Sequence, residues 1–214
     1  IITHGHADHA KPGHKNVLAT KETINIMKIR YGDNCAQNFQ ELTLNKTLKI
    51  DDVKITFYPA GHILGSVQVL AEYKGEKINF TGDYKTKKDK TCENFEPVKC
   101  HTLVTEATFG LPVFQHPNEH NEIKKLLRSL QLFPERPHLV GVYALGKAQR
   151  IIGLLRQPST ITKGSDDTIS HLLIILFFSF SMFNPLNDFL SITILNFLRI
   201  RYEARIIPGR FFLK

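Results

Sequence analysis

Cysteine is scarce in this chain of 214 residues: Cys35, Cys92 and Cys100 are all it has. An odd number with no C-x-x-C spacing argues against a zinc ribbon or a disulfide framework. It points to a reducing compartment, the cytoplasm. No stretch reaches the roughly 18–20 apolar residues that span a bilayer. The run from His171 to Phe183 comes nearest, with an apolar core of about a dozen residues, and it breaks at Asn184-Pro185. No signal-peptide pattern is visible at the start, and there is no internal repeat. No membrane partner is expected. Acidic residues are outnumbered, 20 against 28 Lys and Arg, and the net charge of +8 suits a polyanionic partner. The 42% hydrophobic content can fill a sizeable core.

Six residues carry most of the chemical information: His4-Gly5-His6-Ala7-Asp8-His9. Neutral imidazoles and a carboxylate are the ligands that a borderline divalent ion such as zinc takes. His4 and His6 alternate, so a near-extended backbone points both the same way. Asp8 and His9 lie at the next bend and can face a second ion. Two later segments fit the same site. Tyr58-Pro59-Ala60-Gly61-His62-Ile63-Leu64-Gly65-Ser66 follows the apolar alternation of Val53, Ile55 and Phe57. Ile78-Asn79-Phe80-Thr81-Gly82-Asp83-Tyr84 puts an Asp just after a short strand. Strand ends are where rigid scaffolds hold functional groups. Taken singly, His62 reads as a satisfied turn histidine and Asp83 as a turn residue or helix cap. Together with the first loop, both read as ligands.

THGHADH, AGHILGS and TGDY, in that order, resemble motifs of the metallo-β-lactamase superfamily. Thr105-Glu106-Ala107-Thr108-Phe109-Gly110 resembles motif A of its nucleic-acid-processing branch, the β-CASP nucleases. VTEATFGLPVFQHP and VYALGKAQR are similar to the bacterial DNA-ligase-associated exonucleases, relatives of the mRNA 3′-end processing nucleases. The resemblance covers about residues 1–156. It implies two zinc ions, the first held by His4, His6 and His62, the second by Asp8 and His9, with Asp83 between them. Asp8 would also orient the attacking water. Glu106 would not be a ligand; it would support a histidine that protonates the leaving oxygen.

The chain also departs from that pattern. The family's motif B and motif C histidines, the proton donor and the last ligand of the second metal, find no counterpart after residue 156. His171, the only histidine there, opens an apolar run. One complete and one partial metal site are therefore expected. Ile1-Ile2-Thr3 reads as the end of a buried strand with no initiator Met, as in a fragment truncated at its N-terminus. From Gln157 the character changes, and eight of the fifteen Phe lie beyond that point. Three readings compete for this tail: sequence foreign to the domain, a divergent native region, or a membrane anchor. Missing motifs and missing amphipathic periodicity favour the first.

The fold class expected is α/β: an incomplete metallo-β-lactamase αββα sandwich with the start of a β-CASP domain. The domains would be 1–135, 136–156 and an atypical tail over 157–214. A helix is expected over 21–30, and strands near 47–50, 53–58, 67–73, 77–81 and 103–105, with a hairpin turn at Lys74-Gly75-Glu76. Ile123, Leu126, Leu127 and Leu130 recur at helical spacing, and Asn118 is a fitting N-cap. A strand over 139–143 and a helix over 144–156 follow. Phe109 and Phe114 are expected in the core. Lys85, Lys87, Lys88 and Lys90 trail Asp83. They either line the cleft rim and contact phosphates, with Lys85, Lys87 and Lys88 nearest, or form a solvated loop. No aromatic residue interleaves them, so no base-stacking strip is expected.

The function expected is a zinc-dependent nuclease hydrolysing phosphodiester bonds, with Asp8, Asp83 and Glu106 as its catalytic carboxylates. DNA ranks ahead of RNA as substrate, in repair or ligation, with a DNA ligase as a partner. The rivals are an inactive remnant keeping one metal site, an RNA 3′-end processing nuclease, and a small-substrate hydrolase of the same fold.

Overall fold

The computed structural model describes residues 1–156 and, beyond them, the backbone of strands Leu172–Phe177, Thr193–Asn196, Ala204–Ile207 and Arg210–Leu213. The rest of the apolar tail lies outside the described residues. The chain divides into two compact units, Ile1–Pro112 and Val113–Lys214.

The first unit opens with a βαβ turn. β1 (His14–Ala19) and β2 (Ala36–Glu41) pair in parallel, joined by α1 (Lys21–Tyr31). The Thr20 hydroxyl caps α1 by accepting from the Thr23 N–H, and Gly32 ends it in a positive-φ conformation. β3 (Thr47–Ile50), β4 (Val53–Pro59), β5 (Val67–Tyr73), β6 (Glu76–Phe80) and β7 (Thr102–Val104) form a five-stranded sheet in that order. It is antiparallel as far as β6, and β7 joins β6 in parallel. Between β5 and β6, Lys74 and Gly75 both take positive φ, as a two-residue hairpin turn requires.

β1 lies between two cores. Val17 and Ala19 pack with Ile24 and Met27 of α1. Leu18 packs with Ile55, Phe57, Val67 and Val69 of the large sheet. Helix, small sheet and large sheet thus form three layers, the α/β order expected. Met27 and Phe57 are fully buried, and each such side chain contributes about 1.5–3 kcal/mol. Two backbone bonds stitch the sheets together beside the site: the Ile2 N–H donates to Leu18 O, and the Val67 N–H donates to Thr3 O. His4 therefore emerges between the two sheets.

In the second unit, α2 (Glu119–Leu132), β8 (His138–Tyr143) and α3 (Lys147–Leu155) share a core of Ile123, Leu130, Val142, Ala148, Leu154 and Leu155. Asn118 caps α2, its side chain accepting from the His120 N–H. That shared core places α2 with the second unit, so the division falls inside the stretch 1–135 taken above as one domain. α3 begins at Lys147, later than expected. The Gln149 side chain holds the preceding turn by bonding the Gly146 N–H and Ala144 O. Phe109 and Phe114 correct the core expectation: they are 59% and 46% exposed. The segment between β7 and α2 forms no strand or helix that would carry them inward.

Candidate metal centre

Three chain segments meet at one end of the first unit. His4 is fully buried. A hydrogen bond joins its Nδ1 to Thr3 Oγ1 (3.2 Å), which occupies the nitrogen not facing the cluster. Its Nε2 lies 3.1 Å from His6 Nδ1. The N–H groups of His9 and Ala10 both donate to His6 O, so the chain turns sharply there. Asp8 and His9 are thereby brought round toward Asp83.

His62 sits in a tight loop closed by Ser66, whose hydroxyl accepts from the N–H groups of His62 (3.1 Å) and Ile63 (3.2 Å). Its Nε2 lies 3.2 Å from His6 Nδ1. The hydroxyls of Thr20 and Thr23 donate to Gly65 O and tie this loop to the start of α1. Gly61 is dictated by space as well as by its φ of 71°: a Cβ there would lie 2.4 Å from Lys85 O. The Lys85 N–H donates to Ala60 O (2.9 Å), which locks the His62 loop to the Asp83 segment.

Asp83 stands between two groups of imidazoles. Its Oδ2 lies 3.8 Å from His4 Nε2 and 3.6 Å from His62 Nε2. Its Oδ1 lies 3.5 Å from His9 Nε2, which is 3.7 Å from Asp8 Oδ2. His4, His6, His62 and Asp83 each offer an atom within 4.8 Å of the others, a set that can hold a metal ion. His9 faces the other carboxylate oxygen, with Asp8 beside its ring.

The electrostatics fit a cation. Burial, reinforced by His9, His6 and His62, lowers the His4 pKa to about 2. Burial and His6 also lower that of His62, against the opposing pull of Asp83 and Glu106. Neutral imidazole is the ligand form. His6 Nδ1 has one proton or one lone pair to offer two neighbouring ring nitrogens, so it can make one good hydrogen bond and not two. A cation at the common point of the three nitrogens would satisfy all three and balance Asp83.

Glu106 borders the group without joining it. Its Oε1 accepts from the Tyr84 N–H (3.5 Å) and its Oε2 from the Thr108 N–H (3.1 Å). Burial works to raise its pKa, but the bonds from Thr108 and Tyr84 win and it stays below the ordinary glutamate value. Lys85 is ion-paired with Asp89, while Lys87 and Lys88 are exposed. The sequence motifs name the residues that gather here, His4, His6, His62 and Asp83, but not the supports Thr20, Thr23 and the Tyr84 N–H. Ser66 and Gly61 fall inside the motif quoted for His62. Thr3 opens the THGHADH motif, whereas Thr20 and Thr23 carry no motif signal.

An α/β frame with imidazoles and carboxylates gathered at one end of its sheets defines a candidate metal-binding protein. No family model matches the chain. Sequence relatives do. It is 35% identical over 121 residues to the endoribonuclease ysh-1 of Neurospora crassa, covering 54% of this chain and 14% of that protein. It is 27% identical over 197 residues to an RNase J-like protein of Methanocaldococcus jannaschii, covering 77% and 47%. A probable DNA ligase of Opitutus terrae is 28% identical over 162 residues, covering 73% and 16%. The chain thus spans less than half the length of each. These relatives bear out the resemblance to the β-CASP nuclease branch of the metallo-β-lactamase superfamily.

Proposed function

We propose that this chain carries the metal-binding part of a nuclease that hydrolyses phosphodiester bonds of nucleic acid. The observation that carries the reading is Asp83, which turns one carboxylate oxygen to His4 and His62 and the other to His9. A carboxylate so placed can serve two ions at once. His4, His6, His62 and Asp83 would hold one zinc; Asp8, His9 and Asp83 would hold a second, more weakly. Bound zinc supplies Lewis acidity at a phosphate oxygen and acidifies water at neutral pH.

The chain's own groups do the rest. Asp8, 68% exposed at the open side of the cluster, orients the attacking water. Glu106, fixed by two backbone N–H groups, is a rigid acceptor for a proton-donating histidine. Lys87 and Lys88 contact phosphates without reading sequence. The cytoplasm is the setting, on the small and odd cysteine complement.

Exonuclease action on DNA, in repair or ligation beside a DNA ligase, is the first reading of substrate. RNA 3′-end processing is the second, favoured by relatives named as an endoribonuclease and as RNase J-like. The test incubates the zinc- or manganese-loaded chain with labelled single-stranded DNA, duplex DNA and RNA, beside Asp83→Ala. Slow, metal-dependent cleavage that vanishes in the variant is expected, and the cleaved polymer decides between DNA and RNA. Turnover of a thioester or β-lactam with neither polymer cut would move the site to the small-substrate hydrolases.

A further inference from the structure

α1 braces the first metal loop from behind. Gly5 lies between His4 and His6 and presses on the helix: a Cβ there would fall 2.8 Å from Ile26 Cγ2 and 3.0 Å from Ile26 Cδ1. One turn further along, Arg30 Nη1 donates to Gly5 O at 2.7 Å. Ile26 and Arg30 are four residues apart and share a helix face. A steric contact and a charged hydrogen bond therefore converge on the one residue that separates two ligands.

We infer that Arg30 is a positioning residue for the metal centre, fixing the Gly5-His6 peptide and through it the nitrogen that His6 offers. The inference rests on the zinc reading above. His6 turns Nδ1 toward His4 and His62, at 3.1 and 3.2 Å. Nδ1 is bonded directly to Cγ and lies closer to the backbone than Nε2 does. Rotations about χ1 and χ2 therefore recover little of a backbone shift, and an error in the peptide plane passes to the ligand atom almost undamped. A guanidinium donor is suited to preventing that error, because charge-assisted hydrogen bonds are shorter and stronger than neutral ones. Arg30 is exposed and rests on the Tyr31 ring at 5.6 Å, so its removal opens no hole in the core. Alanine is the better helix former, so α1 itself should survive the change.

The experiment titrates the metal-free full chain with zinc by calorimetry, records the visible spectrum of the cobalt-loaded form, and measures the melting temperature without metal. Arg30→Ala should bind zinc about 10–100-fold more weakly, the usual effect of removing a group that orients a ligand. Its cobalt spectrum should change, while its metal-free melting temperature should match that of Ile29→Ala, altered at an 87% exposed side chain on the same turn. Arg30→Lys, which keeps a cationic donor without the planar fork, should fall between. Zinc affinity in Arg30→Ala within about twofold of the parent, well short of that range, would overturn the inference. So would an equal loss in Ile29→Ala. A parent chain that binds no zinc would refute the metal reading itself and this inference with it, a result distinct from the other two.

Discussion

Asp83 Oδ1 lies 3.5 Å from Nε2 of His9, while its Oδ2 faces the rings of His4 and His62. One side chain thus belongs to two donor groups of unequal size. The larger group adds three imidazoles to it; the smaller adds His9 and Asp8. Metal analysis of the purified chain should give nearer one than two equivalents of zinc. His9→Ala should leave the tight equivalent in place and abolish any weak second one. Asp83→Ala should weaken both. A folded sample with no bound zinc after equilibration with the metal would refute the site.

Among the glycines of the described residues, Gly61 leaves the least room for a side chain. A Cβ there would lie 2.4 Å from Lys85 O and 2.8 Å from Phe95 N, both backbone atoms, at a φ that L residues avoid. Gly61→Ala should destabilise the chain by about 1–3 kcal/mol, read by urea unfolding. It should also weaken zinc binding, because the Ala60–Lys85 hydrogen bond sets the distance between His62 and Asp83. Unchanged stability would mean that the two loops are looser than this geometry implies.

Asp89 gives a pH dependence away from the metal ligands. Burial pushes its pKa up, but hydrogen bonds from Lys85 and Thr91 outweigh that and hold it below the ordinary aspartate value of 3.8. A depressed carboxylate contributes stability that is fully present above the unfolded pKa and is lost as pH falls through the folded one. Asp89→Asn should therefore destabilise the chain at neutral pH. The gap between variant and parent should close only below about pH 4, as the parent's carboxylate protonates. Denaturant unfolding across that range checks it; a gap that stays constant with pH would assign the effect to packing.

The large sheet and the gathering of His4, His6, His62 and Asp83 were legible because their signals are local. Alternation in Val53–Phe57, the Lys74-Gly75 turn and the clustered histidines each fit within one short window. β1 and β2 were not legible. His14, Lys15 and Asn16 are exposed, and only Val17–Ala19 are buried. β2 buries Ala36 alone among its six residues. Their pairing is parallel and made across a helix, so no turn signal announces it. Lys85 shows a different limit. Its charge is plain in the sequence, but only the fold reveals that Asp89 takes it up, while Lys87 and Lys88 stay exposed. Phe109 and Phe114 are apolar residues whose burial the sequence implied and the fold withholds.

Catalysis sets two demands that this chain meets unequally. In the reading proposed above, attack on phosphorus needs metal ions and a water held by Asp8, and His4, His6, His62 and Asp83 already gather as a set that can hold one ion. Departure of the leaving oxygen needs a proton, and Glu106 is an acceptor held below its ordinary pKa, so it cannot donate one at neutral pH. The two bonds that hold this carboxylate come from backbone N–H groups, of Tyr84 and Thr108. General acid catalysis contributes on the order of 10²–10⁴-fold. The chain should therefore cut nucleic acid more slowly, by about that factor, than a longer relative that has the same first loop and a donor histidine. A leaving group that needs no proton, as in a p-nitrophenyl phosphodiester, should narrow the gap. Zinc- or manganese-loaded chain assayed on both substrates, with Asp83→Ala as control, separates the cases. Fast, Asp83-dependent cleavage of DNA or RNA would show that another group, with His101, His116 and His171 the first to replace by alanine, already supplies the proton.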